Sequence, residues 1–388
     1  MRPLEGYRVL ALEHAVAAPI CTRHLADFGA EIIKIERPGG GDFARGYDRF
    51  VHGQSSFFVW LNRGKRSVTL DVKHPEGRRV LDRLAGEVDV VVQNLAPGAA
   101  ARLGLSWPAL SARNPRMVLC DISGYGATGP FAHKKAYDLL IQAESGLISM
   151  SGTADTPARV GISVADIATG MYAQTAVLAA LLRRERTGAG AHVSVAMLDA
   201  LAEWMTHPMY RWAFDASLTP REPTSHPLLA PYGAHRTGNG QVIFGLQNER
   251  EWMTFCEQVM ERPALAADPR FAGNLARGQN RDALTAEIEA LLTTMTTDQV
   301  VDRLDRAGIA NGRLNTAREI WEHEQLAARD RWREAATEAG PVRALLPPVT
   351  FADQEAPMGA VPALGADTDA VLGGLGFDVA ALRAAGAV

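Results

Sequence analysis

Val88-Asp89-Val90-Val91-Val92 is nearly continuous in β-branched residues, the mark of a strand covered on both faces, as in a parallel sheet. Residues 117–122 repeat that character, and Arg8–Leu12 and 31–35 read as short buried strands upstream. Leu70 closes a further strand of alternating apolar residues. Helical stretches fall between them. One covers 19–28 and stops at Gly29; another starts at Pro75, a residue suited to a first helical turn, and runs to about Ala85. A long helix from Ile167 ends in Arg183-Arg184-Glu185-Arg186, cations that suit its C-terminal dipole. Thr187-Gly188-Ala189-Gly190 then breaks the chain before a strand at 192–195 and a helix to about Met205. This alternation predicts an α/β architecture with a mostly parallel sheet. Composition shifts at 219–232, where Pro220, Pro223, Pro227 and Pro231 cluster, so a linker is expected over 206–232. A strand at 241–246 and a helix at 251–260 open a smaller α+β domain, expected over 233–315. The helical ending, 364–388, predicts that residues 316–388 return to complete the large domain begun by 1–205.

The 388 residues exceed what one core usually holds, in keeping with two lobes. With 47% hydrophobic and 22% charged residues the chain has the balance of a globular protein. A net charge of −4 argues against nucleic acid or a membrane surface as partner, while leaving room for a local basic pocket for small anions. Cys21, Cys120 and Cys256 are far apart and lack a CxxC pair, which predicts reduced, buried thiols and no metal site. Met1-Arg2-Pro3-Leu4-Glu5-Gly6 reaches a strand without an apolar signal region. The apolar stretch 167–182, broken by Thr169, Gly170, Gln174 and Thr175, falls short of the roughly 20 residues that cross a bilayer. The expectation is a cytoplasmic protein.

Arg159-Val160-Gly161-Ile162-Ser163-Val164-Ala165-Asp166-Ile167-Ala168-Thr169-Gly170-Met171 places one carboxylate between an apolar run and the long helix, among small residues. Taken locally, Asp166 reads as a helix N-cap, with a catalytic carboxylate as the other reading. Gly124-Tyr125-Gly126-Ala127-Thr128-Gly129 matches the dinucleotide fingerprint and follows a strand. That fingerprint also requires a helix at once, and here Pro130 intervenes and the next helix is expected only near Tyr137. The opening βαβ ends in Glu36, but its first turn, 14–19, has no glycine. A nicotinamide cofactor is therefore not expected. No GxSxG, HExxH or CxxC supports a hydrolase or metalloprotease.

Several segments together resemble the family III coenzyme A transferases (the CaiB/BaiF group), which includes formyl-CoA transferase, the carnitine and bile-acid CoA transferases and α-methylacyl-CoA racemase. They are Leu4-Glu5-Gly6-Tyr7-Arg8-Val9-Leu10, Gly29-Ala30-Glu31-Ile32-Ile33-Lys34-Ile35-Glu36-Arg37-Pro38 and Asn62-Arg63-Gly64-Lys65-Arg66-Ser67-Val68-Thr69-Leu70-Asp71. Next come Gln93-Asn94-Leu95-Ala96-Pro97-Gly98, Ser123-Gly124-Tyr125-Gly126-Ala127-Thr128-Gly129-Pro130, Ala136-Tyr137-Asp138 and the Asp166 segment. The resemblance implies a Rossmann-like large domain, a smaller α+β domain and a homodimer whose chains interlock, with the active site between lobes of different subunits. It implies an acyl-CoA:carboxylate CoA-transferase that uses acyl-CoA and a carboxylic acid as substrates and needs no prosthetic group.

By the same resemblance Asp166 is the nucleophile, and a helix N-terminus beside it would help keep it ionised. Tyr137 and Asp138 line the acyl pocket. The racemases carry a histidine where this chain has Tyr137, and a tyrosine, with its pKa near 10, is a poor base; this favours transfer over a racemase or epimerase. A CoA-binding homologue without catalysis is the remaining alternative. Arg37, Lys65, Arg102 and Lys135 are the implied phosphate ligands, with Asn94 and Leu95 nearby on CoA. Val16 replaces a glutamine that contacts the acyl group in formyl-CoA transferase, and Gly238-Asn239-Gly240-Gln241 replaces a run of glycines, putting Gly238 and Gly240 in the substrate pocket. Formate–oxalate exchange is therefore not expected. Leu229-Ala230-Pro231-Tyr232-Gly233-Ala234 and Gln247-Asn248-Glu249-Arg250-Glu251-Trp252 look closer to members that handle four- and five-carbon dicarboxylates, the succinyl-CoA-dependent citramalate, malate and mesaconate enzymes among them. His14, His226 and His235 are candidates for a distal carboxylate.

Overall fold

The computed structural model describes residues 1–215 and 221–388, so residues 216–220 of the expected linker lie outside the described residues. The chain divides into two compact units. The first comprises 1–147, 159–209 and 326–388, and the second 148–158 and 210–325. This division differs from the expected one. Residues 148–158 join the second unit because Arg221 donates from its guanidinium to the carbonyls of Thr153 (2.7 Å) and Ala154. The end of the expected linker is hydrogen-bonded in place as well: His226 N–H donates to the Tyr232 carbonyl.

Six parallel strands form the first unit's main sheet: β1 (Arg8–Leu12), β2 (Glu31–Glu36), β3 (Lys65–Thr69), β4 (Val90–Gln93), β5 (Val118–Ser123) and β6 (Ala191–Ala196), in the order β3-β2-β1-β4-β5-β6. The alternation within each strand feeds two apolar layers. Leu10, Leu12, Ile33, Val91 and Leu119 pack on one face with Leu81 and Leu84 of the helix Pro75–Gly86 and with Leu372 and Leu382 of the C-terminal helices. Val9, Ala11, Ile32, Val92 and Cys120 pack on the other with the helices Ala17–Asp27 and Val164–Thr187. All three cysteines are free and buried. In a sheet of this order the connections diverge between β1 and β4, and ligands bind outside the carboxyl ends there.

The long helix, Val164–Thr187, has 24 residues and starts three residues earlier than the sequence led us to expect. It is a core helix, crossing Ala17–Asp27 at Gly170. A Cβ on Gly170 would fall 1.9 Å from Ile20 Cγ2 and 2.6 Å from the Ala17 carbonyl oxygen. Gly170→Val is expected to lower stability by about 1–3 kcal/mol through overpacking, read as a drop in urea midpoint at constant slope.

In the second unit β7 (Tyr232–Arg236), β8 (Gln241–Gly245) and β9 (Asn311–Arg313) form an antiparallel sheet over a core of Trp252, Phe255, Phe271, Leu284 and Ile288.

Candidate active site

Asp166 lies in the first turn of the long helix, whose N-cap, Ser163, makes no side-chain cap. The cap comes from elsewhere. Asp138, first residue of the helix Asp138–Glu144, accepts hydrogen bonds at Oδ1 from the backbone N–H of Ala165 (2.8 Å) and, more weakly, of Asp166 (3.4 Å). This corrects the local reading of Asp166 as the cap. Its ionisation also departs from expectation: burial first, then the Asp138 charge, raise the Asp166 carboxyl to about 7. The helix terminus does not hold it ionised, because its nearest N–H groups are already engaged by another carboxylate.

Gln142, wholly buried, aligns that carboxylate. Its Nε2 donates to Asp138 Oδ2 (2.7 Å) and to the Ile162 carbonyl (3.3 Å), while its Oε1 accepts from Val160 N–H (2.9 Å). The segment leading into Asp166 is thereby clamped. Tyr137, just before Asp138, is extended and 59% exposed. It reaches this position because Gly124 lets the loop fold back; a Cβ there would lie 2.2 Å from Ala136 Cβ. The glycine fingerprint thus serves a close backbone approach, with no helix until Asp138.

Tyr47 is a site residue that the sequence reading missed. Burial and the nearby Asp42, Asp166 and Tyr137 push its phenol up to about 12, so it stays protonated. It belongs to a chain of rings, His14–Phe43–Tyr47–Phe57–Trp60, with centroids 5.4–6.5 Å apart. The signal was present: Phe43, Tyr47, Phe50, Phe57, Phe58 and Trp60 crowd one stretch of a chain that is 7% aromatic. Val16 is buried and packs with Ile20, Leu61, Phe57 and Ile167, next to Asp166. It follows Ala15, whose φ of +61° is unusual for a side-chain-bearing residue. Asp42 holds that turn, accepting from Ala15 N–H at 3.2 Å.

Beneath the turn lies a buried ion network. Glu13 Oε1 accepts from Lys65 Nζ (2.7 Å) and Lys34 Nζ (3.2 Å), and Lys34 also donates to Asp42 Oδ2 (2.9 Å). Burial alone would raise Glu13, but the two ammonium charges outweigh it and hold the carboxyl at about 2. Lys65, expected on a CoA phosphate, is a correction. Its Nζ is buried and also donates to the Pro19 carbonyl (2.9 Å) and Asn62 Oδ1 (3.0 Å), leaving nothing for a ligand. Glu36, at the end of β2, is likewise occupied by Arg45 and Ser67.

The other implied CoA contacts fall into two groups. Arg37, Arg102 and Lys135 are exposed, at the end of β2, at the end of the short helix Ala99–Arg102 and just before Tyr137. Asn94 is structural: its Oδ1 accepts from His14 N–H and its Nδ2 donates to the His14 carbonyl, both at 2.9 Å, bridging the ends of β1 and β4. Leu95, half-buried, donates its N–H to Gln93 Oε1 at 2.8 Å. Gly238 and Gly240 belong to the second unit, in the β7–β8 turn, where a Cβ on Gly238 would lie 2.9 Å from the Met295 carbonyl oxygen. His226 and His235 serve that unit's own structure. His226 Nδ1 accepts from Leu228 and Leu229 N–H (3.1 Å each), and His235 stacks on Phe244 with burial pushing its pKa down to about 4.

What this first unit provides is a carboxylate poised near neutrality, freed from capping, beside a second carboxylate and a protonated phenol. Such a group can attack an activated carbonyl.

The chain belongs to CoA-transferase family III, whose family model matches residues 4–368. It is an enzyme of that class, acting on CoA thioesters. It is similar to the succinyl-CoA:glutarate CoA-transferase of Mus musculus, at 34% identity over 84% of this chain and 75% of that one. The acetyl-CoA:oxalate CoA-transferase of Acetobacter aceti is 36% identical, over 84% of this chain and 85% of its own. A CaiB/BaiF family protein from Brucella suis has the same fold, with a TM-score of 0.86 and 32% identity over 96% of this chain and 99% of its own.

Proposed function

We propose that this enzyme moves CoA from succinyl-CoA to a second dicarboxylic acid, with Asp166 as nucleophile. The observation that carries the reading is the Asp166 carboxyl raised to about 7 at a helix start whose N–H groups are engaged by Asp138. A carboxylate so placed is more basic than a solvated one and ionises within the working pH range. Asp166 attacks the thioester carbonyl, forming a mixed anhydride and CoA thiolate. The thiolate attacks the aspartyl carbonyl, giving an aspartyl-CoA thioester and the free donor acid. The acceptor carboxylate then attacks that thioester, and the released thiolate takes the acceptor's acyl carbon, restoring Asp166. Each tetrahedral intermediate needs a donor, and the protonated Tyr47, whose phenol interacts electrostatically with Asp166, is assigned that role. Arg37, Arg102 and Lys135 are assigned to the CoA phosphates, and Tyr137, Asp138 and Val16 to the acyl pocket.

The dicarboxylate class rests on the named relatives and on the absence of the glutamine at Val16. The resemblance also carries a homodimer of interlocked chains into this reading, for which light scattering should give about twice 41.8 kDa. The test of the chemistry is hydroxylamine trapping during turnover of succinyl-CoA with glutarate, followed by peptide mass spectrometry. A hydroxamate on the Asp166 peptide supports the reading. No adduct, with α-proton exchange in deuterium oxide and no acceptor, would replace it by a racemase.

A further inference from the structure

We infer that Asp138 is the positioning residue that keeps the Asp166 carboxylate free to react, by taking the helix N–H groups that Asp166 would otherwise engage itself, and that Gln142 holds Asp138 in that orientation. The inference rests on Asp166 being the nucleophile. The geometry is specific to this task. Asp138 Oδ1 meets Ala165 N–H at 2.8 Å and Asp166 N–H at 3.4 Å, and its Oδ2 receives Gln142 Nε2 at 2.7 Å. Gln142 in turn has its oxygen on Val160 N–H and its second donor contact on the Ile162 carbonyl, so the cap and the approach to Asp166 are aligned by one side chain. A side chain that caps its own helix is stabilised as a carboxylate and is a weaker nucleophile. Capping from the Asp138–Glu144 helix avoids this, and the second negative charge disfavours ionised Asp166 further. The acylated forms of Asp166, anhydride and thioester, carry no charge at this side chain. Asp138 therefore raises the resting carboxylate in free energy relative to the intermediates that follow it.

The groups facing the first turn of the long helix bear this out. Asp138 approaches from its own helix, Tyr137 from the preceding loop and Tyr47 from the turn after Phe43–Gly46, with Asp42 behind Tyr47. Val16 and Ile20 approach from the Ala17–Asp27 helix and its leading turn, and Met197 and Leu201 from Met197–Trp204, all apolar. Among these described residues no cation opposes the Asp138 charge.

The test compares pH profiles of kcat/KM for succinyl-CoA in the wild type, Asp138→Asn, Gln142→Glu and the double variant. The wild type should lose activity below an inflection near pH 7, where Asp166 becomes protonated. Asp138→Asn keeps an oxygen for the Ala165 N–H but loses the charge and turns an amide toward the Gln142 amide. Its inflection should fall by roughly one unit, and its plateau rate by roughly tenfold. Gln142→Glu alone sets two carboxylates face to face and should also lower the plateau. In the double variant the amide introduced by Asp138→Asn can donate to the carboxylate introduced by Gln142→Glu, whose other oxygen still accepts from Val160 N–H. Its plateau should recover to within a few-fold of wild type while the inflection stays below 7. A merely structural role would give no shift in the inflection and no recovery. Should Asp138→Asn fold poorly, the double variant carries the same test. Hydroxylamine trapping in the wild type separates the two ideas. An Asp166 adduct with an unmoved inflection in the folded variants overturns the role of Asp138 alone, and no adduct removes the nucleophile on which it rests.

Discussion

Asp166→Ala is expected to abolish transfer, by roughly 10³–10⁶-fold in kcat as for other nucleophile deletions, without lowering stability. The second half of that result separates the two roles a sequence can suggest for this residue. An N-cap aspartate replaced by alanine costs about 1 kcal/mol. Asp166 is no cap, because Asp138 holds the N–H groups. Its carboxyl is raised from 3.8 to about 7, so the folded protein binds a proton that the unfolded chain has already lost over that interval. The group therefore costs no stability below pH 3.8 and costs progressively more as pH rises toward 7. Removing it should therefore leave the melting temperature unchanged at about pH 4 and raise it at about pH 8. Thermal melts at the two values, with hydroxylamine trapping on the same samples, check both halves. A lower melting temperature on the alkaline side would return the residue to a structural role.

Lys34→Met should destabilise the first unit by about 3–5 kcal/mol, the usual result of removing one member of a buried ion cluster. Lys34 is fully buried and bonded to both Glu13 and Asp42. Glu13 keeps Lys65 and the Thr22 hydroxyl, at 2.6 Å, but Asp42 is left with backbone N–H donors and the His14 imidazole at 3.9 Å, and with no ammonium bonded to it. A domain with a typical stability of about 5–15 kcal/mol loses a large part of it. Adding Asp42→Asn should restore part of the loss, since the uncompensated charge goes with it, and a double-mutant cycle in urea measures this coupling. The network also sets an acid limit. Glu13 and Glu36 are both held at about 2 against an ordinary 4.5, so their stabilisation is complete above 4.5 and lost as pH falls through 2. The wild type should unfold in that window, read by circular dichroism, and Lys34→Met at higher pH.

Much of this was legible beforehand where the physics is local. Arg8–Leu12 and the β-branched run ending β4 announce themselves because each parallel strand is covered on both faces. The failure of the glycine fingerprint was legible too, since the next helix was expected only near Tyr137 and begins at Asp138. Contacts between distant residues were not. The Asp138 cap lies 28 residues before Asp166, and nothing around either position reveals it. Lys65 read as a ligand of a CoA phosphate because the glutamate that buries it is 52 residues away. Asn94 lay in a matching motif, but its clasp on His14 needed the strand order. His226 and His235 sat in the right composition and the wrong surroundings.

That clasp also sets a tolerance. The strands β1, β2 and β3 carry the turn with Val16, the Asp42 loop and Tyr47, while β4, β5 and β6 carry the loop with Tyr137, Asp138 and the helix of Asp166. The two halves diverge at the point where the Asn94 carboxamide grips both sides of the His14 peptide. One amide thus registers the aromatic wall against the nucleophile, much as a dowel aligns two boards. A misplacement of about 1 Å between reacting groups can cost about a hundredfold in rate, so the alignment of this centre depends on a residue that need not touch the substrate.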